Sequence, residues 1–239
     1  MRKMVNYVGE SAARAFRIRP LGDRALVVYL DTAMQEGERW LLAAGMAELL
    51  REAGLTWLVD AVPAYDTVTV VYERFDYEQA AADVERVLLD TRHQYAIEPR
   101  LIEIPVCYGG HYGPDLAACA SRAGMTEASF VTRHAAAEYQ VAMIGFMPGF
   151  PYLSGLPAEL RQPRLARPRS SVPAGAVGIA GGQTGIYPLS TPGGWQLIGQ
   201  TPLRLFDPKR AEPFLLRMGD RLRFVPISEQ DLKEQGETP

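Results

Sequence analysis

Between residues 145 and 213 the chain carries eleven of its 18 prolines and eleven of its 22 glycines. Proline removes a backbone donor and glycine weakens a helix, so long helices are excluded there. The runs VGIA, GIYPL and WQLIG lie between these breaks and suit short strands joined by tight turns. A closed or partly closed β-barrel is the economical outcome, because closure removes exposed sheet edges. Upstream, Asp115 and Thr126 sit where N-caps would open two short helices over 115–123 and 127–137.

The first hundred residues have a different texture. A strand-like stretch reaches the Gly22-Asp23 turn, ALVVYL (25–30) follows, and apolar residues recur at three- to four-residue spacing from about Glu36 to Ala53. The runs 56–62 and 67–73 read as a hairpin, Asp76 with Gln79 as a cap opening a second helix, and RLIEIPV (100–106) as a closing strand. The order strand, helix, strand, strand, helix, strand predicts a ferredoxin-like α/β sandwich. The fold class expected is therefore α+β: a ferredoxin-like domain over 1–106, a β-barrel domain over 107–228, and a frayed polar tail over 229–239.

Bulk properties narrow the function. A net charge of -3 and a pI near 5.7 provide no field for nucleic acid or an anionic membrane. The first fifteen residues lack an apolar core of signal-peptide length, and no window approaches the roughly 20 apolar residues of a membrane span, so a cytoplasmic location is expected. Cys107 and Cys119 have no metal-ligand or CxxC spacing. Lysine occurs only at positions 3, 209 and 233, which disfavours Schiff-base chemistry. GxxxxGK[ST] and GxGxxG are absent, so any ATP used is not held by a P-loop of this chain.

Of the three histidines, His93 falls at a helix end and His111 in a glycine turn. His134 lies in the last turn of a helix leading toward the barrel, where it either borders the mouth or serves as a helix-end cap or a packed imidazole. GFMPGFPYLSGLP (145–157) supplies a rigid apolar wall around Phe146 and Pro148, or a loop packed on the core. From Leu160 to Phe206 there is no acidic residue, yet Arg161, Arg164, Arg167, Arg169 and Arg204 are present. This local excess favours an anionic ligand, with Arg169 the foremost arginine. GIAGGQTGIYP (178–188) offers unobstructed N–H groups at Gly181 and Gly182 and the amide of Gln183, as an oxyanion cradle or as a plain hairpin. GxSxG is absent, and no Ser/His/Asp triad can be assembled.

YGGHYGPDL (108–116), IGFMPGFPYLSGLP (144–157), PRLARPRSSVPAGAVGIAGGQTGIYP (163–188) and TPGGWQLIGQTPLRLFDP (191–208) together resemble the 5-oxoprolinase B-subunit family. That family is also described as allophanate hydrolase subunit 1 and as an inhibitor of the sporulation kinase A. The resemblance implies a cyclophilin-like barrel and, as partners, 5-oxoprolinase subunits A and C. It also implies an ATP-dependent conversion of an anionic lactam, 5-oxo-L-proline, to L-glutamate. It makes His134, Arg169 and Gln183 the catalytic set, with Phe146, Pro148, Gly181 and Gly182 toward substrate and no metal. A sensor-kinase inhibitor and an allophanate- or urea-processing subunit are the alternatives it carries. Met147 and His111 stand at variable places of the family pattern.

Overall fold

The computed structural model describes residues 16–31, 36–73, 76–89 and 99–236. The chain divides between residues 98 and 99 into two compact units. His93 lies outside the described residues.

The first unit comprises β1 (Phe16–Pro20), β2 (Ala25–Leu30), α1 (Glu36–Glu52), β3 (Leu58–Ala64), β4 (Thr67–Tyr72) and α2 (Tyr77–Leu89). Its antiparallel sheet has the order β1-β2-β4-β3. Strand β4 alternates as half-buried sheets do, with Val68, Val70 and Tyr72 turned inward. Helix α2 buries Ala80, Val84 and Val87 along one stripe, and Asp76 accepts the Gln79 N–H at 3.0 Å as the expected cap.

The closing strand expected at 100–106 does not join this sheet. Residues Leu101–Tyr108 form β5 of the barrel, and β1 occupies the sheet edge beside β2 instead. The ferredoxin-like spatial order survives with its edge strand drawn from residues 16–20. The domain boundary therefore falls ahead of β5 rather than after residue 106.

The second unit continues with α3 (Leu116–Arg122), α4 (Glu127–Ala136), β6 (Tyr139–Ile144), β7 (Pro151–Ser154), β8 (Arg169–Val172), β9 (Ala176–Ala180) and β10 (Gln183–Ile186). After these come β11 (Thr191–Gly193), β12 (Gln196–Gln200), β13 (Arg221–Pro226) and α5 (Glu229–Gly236). Seven strands close a barrel in the order β10-β7-β6-β13-β5-β12-β9, while β8 and β11 pair separately. Strands β5 and β13 are parallel neighbours, and Arg100 clasps their beginnings by gripping Asp220 through Nε at 3.0 Å and Nη2 at 2.6 Å.

Two apolar layers share the barrel wall. Ile104, Val141, Leu153, Ile179, Ile186, Ile198 and Phe224 fill the interior. Phe150, Val172, Tyr187, Trp195 and Leu197 form an outer layer. Strand β9 is buried at all five positions because it lies between them. Gly185 makes the outer layer possible: a Cβ there would meet Pro151 O at 2.9 Å and the Phe150 and Trp195 rings at 3.0 Å.

Residues 229–236, expected to be frayed, form α5 with Leu232 buried. Ser228 and Asp231 cap it reciprocally: the Asp231 carboxylate accepts from the Ser228 N–H at 3.0 Å, and Ser228 Oγ accepts from the Asp231 N–H at 3.1 Å. Thr126 caps α4 by accepting the Ser129 N–H at 3.1 Å. Asp115 occupies the N-cap position of α3 but makes no capping bond, because its carboxylate is engaged elsewhere.

Candidate functional site

His134 is fully buried inside the barrel. The last turn of α4 places its ring against Phe224, stacked at 4.6 Å, with Tyr139 at 5.2 Å. Tyr108 Oη lies 2.8 Å from Nδ1, and Thr184 Oγ1 lies 3.3 Å from Nε2. Thr184 spends its own proton on Gly178 O at 3.0 Å, so its oxygen must accept from Nε2–H. One chain of donors follows: Tyr108 O–H to Nδ1, Nε2–H to Thr184, and Thr184 O–H to the Gly178 carbonyl. The ring is thereby held as the neutral Nε2–H tautomer, and burial lowers its pKa to about 3. Burial likewise raises the phenols of Tyr108 and Tyr139. His134 is thus a buried core group with both ring nitrogens hydrogen-bonded.

Gln183 occupies the opposite face of β10. Thr184 and Ile186 point to the interior, so Gln183 and Gly185 point to the outer aromatic layer. Arg169 also belongs to the outer side, where its guanidinium donates to Asp115 Oδ1 at 2.7 Å and to Trp195 O at 3.4 Å. Asp115 accepts the Leu197 N–H through Oδ2 at 2.6 Å, and its own N–H donates to Leu197 O at 2.9 Å. Arg169 is therefore neutralised within the fold. The expected convergence of His134, Arg169 and Gln183 at one mouth is not what the strands produce: the barrel wall stands between the histidine and the other two.

The glycine turn is real but partly committed. Gly181 and Gly182 connect β9 to β10 with φ +59° at the first position, as a II′ hairpin requires. Both glycines are exposed, but Gly181 N–H donates to Gln162 O at 2.7 Å, which commits that donor of the expected cradle within the fold. Gln162, buried and unremarked in the sequence, receives Arg122 Nε at 2.8 Å and donates to Cys119 O at 3.2 Å. The Cys119 thiol beside it is pushed up to about 11 by burial.

Phe146 is 64% exposed with φ +70°, in the loop that carries Pro148. Strand register puts this loop at the Pro151 end of β7, whereas the Gly181-Gly182 turn lies at the Ser154 end. The two expected substrate-binding elements thus lie at opposite ends of β7, about 10 Å apart along the ladder at roughly 3.3 Å per residue. A separate cleft of about 540 Å³ is lined by Tyr112, Leu189, Gln200, Arg204, Phe206 and Lys233, among others, and by none of the seven expected residues. Among the described residues, no cluster of three or more His, Cys, Asp or Glu side chains is placed to hold a metal.

The residues that organise this unit and escape sequence reading are Tyr108, Asp115, Gln162 and Thr184. Asp115 carries a signal, but a helix cap explains it sufficiently.

The family model described as "Carboxyltransferase domain, subdomain C and D" matches residues 16–216. A relative from Escherichia coli O157:H7, named as the B subunit of 5-oxoprolinase, is 47% identical over 215 residues, covering 87% of this chain and 95% of the relative. One of the same name from Bacillus subtilis (strain 168) is 41% identical over 228 residues, covering 90% and 95%. The crystal structure of TTHA0988 is similar with a TM-score of 0.74 and 36% identity, covering 89% of this chain; this chain spans 40% of that one.

Proposed function

The chain belongs to the 5-oxoprolinase B-subunit family, and from that premise we propose that it serves as the B component of an ATP-dependent 5-oxoprolinase that opens 5-oxo-L-proline to L-glutamate in the cytoplasm. The observation that carries this reading is the identity of 41–47% with relatives of that name across nearly the whole length of both chains. No described helix is long and apolar enough to cross a membrane.

A lactam resists hydrolysis because amide resonance must be broken. Transfer of a phosphoryl group from ATP to the lactam oxygen releases ADP and makes the ring carbon electrophilic. One water adds there and the C–N bond breaks, with the nitrogen leaving as the amine. A second water hydrolyses the resulting acyl phosphate to the carboxylate and inorganic phosphate. In this reading ATP is bound by the assembled complex and not by a P-loop of this chain. Subunits A and C are the partners. Of the expected site residues, Gly182 in the turn before β10 and Gln183 on its outer face are retained as the candidate contacts. Arg169 takes a positioning role through Asp115, and His134 a role in holding the barrel.

The test is reconstitution with purified subunits A and C of the same organism, followed by 5-oxoproline-dependent ATP hydrolysis. The expected result is turnover with all three chains and none with this chain alone. Turnover by the isolated chain, or none by the complete set, overturns the proposal.

A further inference from the structure

The cleft lined by α5 and the 201–206 segment has the build of a ligand site. Its volume of about 540 Å³ falls within the roughly 300–1,000 Å³ typical of small-molecule sites. A five-membered lactam would leave most of it empty. One wall is fixed before any ligand arrives, because the turn at Ala174 and Gly175 is held from three sides. Gly175 N–H donates to Tyr187 O at 2.7 Å, Thr201 N–H to Gly175 O at 2.9 Å, and Gln200 Nε2 to Ala174 O at 2.7 Å. Gly175 has φ +82°, and a Cβ there would collide with Thr201 O, so only glycine allows this close approach. On the α5 side, Leu232 is buried and the Ser228–Asp231 cap holds the helix start. Preformed walls lose little freedom on binding.

Charge selects the occupant. Among the described lining residues Arg204 and Lys233 are cationic and none is acidic. Both cations are loosely held. Arg204 lies 3.4 Å from Asp207, which also faces Arg210 at 3.6 Å and accepts the Lys209 N–H at 3.0 Å. One carboxylate thus serves two guanidinium groups, and the balance stays positive. Lys233 pairs with Glu229 at 2.7 Å, yet their side chains are 62% and 61% exposed, and surface pairs of that kind are worth little. The rest of the lining is largely apolar, with Leu189, Leu203 and Phe206 contributing side chains that are not fully buried.

We infer that this cleft is a second binding site, for an organic anion whose phosphate or carboxylate is taken by Arg204 and Lys233 and whose apolar body lies against Leu189, Leu203 and Phe206. Such a ligand satisfies both halves of the lining at once: the cations gain a partner of opposite charge, and exposed apolar surface leaves water. The site shares no residue with the Gly182–Gln183 face and stands independently of the oxoprolinase reading. Nucleotides and acyl carboxylates have this chemistry in common.

The experiment titrates the full-length chain with anilinonaphthalene sulfonate, a flat aromatic anion, and follows its fluorescence. Wild type should bind it saturably at one site. R204A/K233A should raise Kd by at least about tenfold. Thermal unfolding should be unchanged, because Asp207 keeps Arg210 and the Lys209 N–H. L189D places a carboxylate in the cleft at a position 41% exposed, and should weaken binding as strongly. R17A/R19A, an equal charge change in the first unit, should leave Kd within about twofold. Displacement of the probe by ATP assigns the cleft to a nucleotide, and displacement by decanoate alone to an acyl carboxylate; either upholds the site. Unchanged Kd in both cleft variants, or a probe that neither compound displaces, overturns the inference and leaves the oxoprolinase reading intact.

Discussion

The two faces of strand β10 hold polar groups in opposite ways. Inward, Thr184 completes a chain with His134 and Tyr108 in which each donor meets an acceptor. Outward, Gln183 lies beside the Gly181-Gly182 turn, next to Arg161, and Arg161, Arg164 and Arg167 are exposed. A buried polar group left without a partner costs far more than one in water, so the inner set is built for stability. Exposed arginines cost the fold almost nothing, so their charges are available for recognition.

The sharpest way to break this contrast is His134→Ala. It opens a cavity and leaves the Tyr108 hydroxyl and Thr184 oxygen unmatched, and should destabilise the second unit by about 3–5 kcal/mol in urea unfolding. Reconstituted turnover per folded molecule should stay near wild type; a large fall in kcat at full folding would return His134 to the chemistry.

A change of pH tests the same group without mutation. Its folded pKa of about 3 lies below the ordinary value of 6.5, so between these pH values the unfolded chain binds more protons than the native one. Stability from this ring is complete above pH 6.5 and declines as pH falls toward 3. Between about pH 6.5 and 5 the loss is about 2 kcal/mol, at roughly 1.36 kcal/mol per unit for one proton. NMR titration of the imidazole should show the neutral Nε2–H form persisting below about pH 5; ordinary protonation near pH 6.5 would contradict the sealed network.

The smallest of these effects belongs to the boundary between the faces. Asp115→Ala removes the partner of Arg169 and the acceptor of Leu197 N–H, and should cost about 1–2 kcal/mol in the same unfolding assay, discounted for partial exposure. An unchanged midpoint would mean that Asp115 does not tie Arg169 into the fold.

Much of the architecture can be read from the chain because it depends on local pattern. Helix α2 and its cap follow from spacing, and the proline and glycine density excludes long helices between residues 145 and 213. What escapes depends on partners remote in sequence. The run 101–108 looks the same whichever sheet receives it, and only pairing with β13, starting 120 residues on at Arg221, assigns it to the barrel. His134 finds its partners 26 residues earlier and 50 later, and Arg169 finds Asp115 54 residues back. Helix α5 is hard to see for another reason: its polar sequence has a single buried anchor, Leu232, and its stability begins with the Ser228–Asp231 cap.

The parallel pairing of β5 with β13 has a consequence in time. Strand β5 is made early, yet its neighbour on one side is the last strand of the barrel, and Arg100 waits for Asp220 across 120 residues. During synthesis β5 therefore presents an unpaired edge until nearly the whole second unit has emerged. Closure is a late, long-range event of the kind that slows folding and exposes strand edges to wrong partners. A nascent chain halted before Arg221 has every other barrel strand but cannot close the ring.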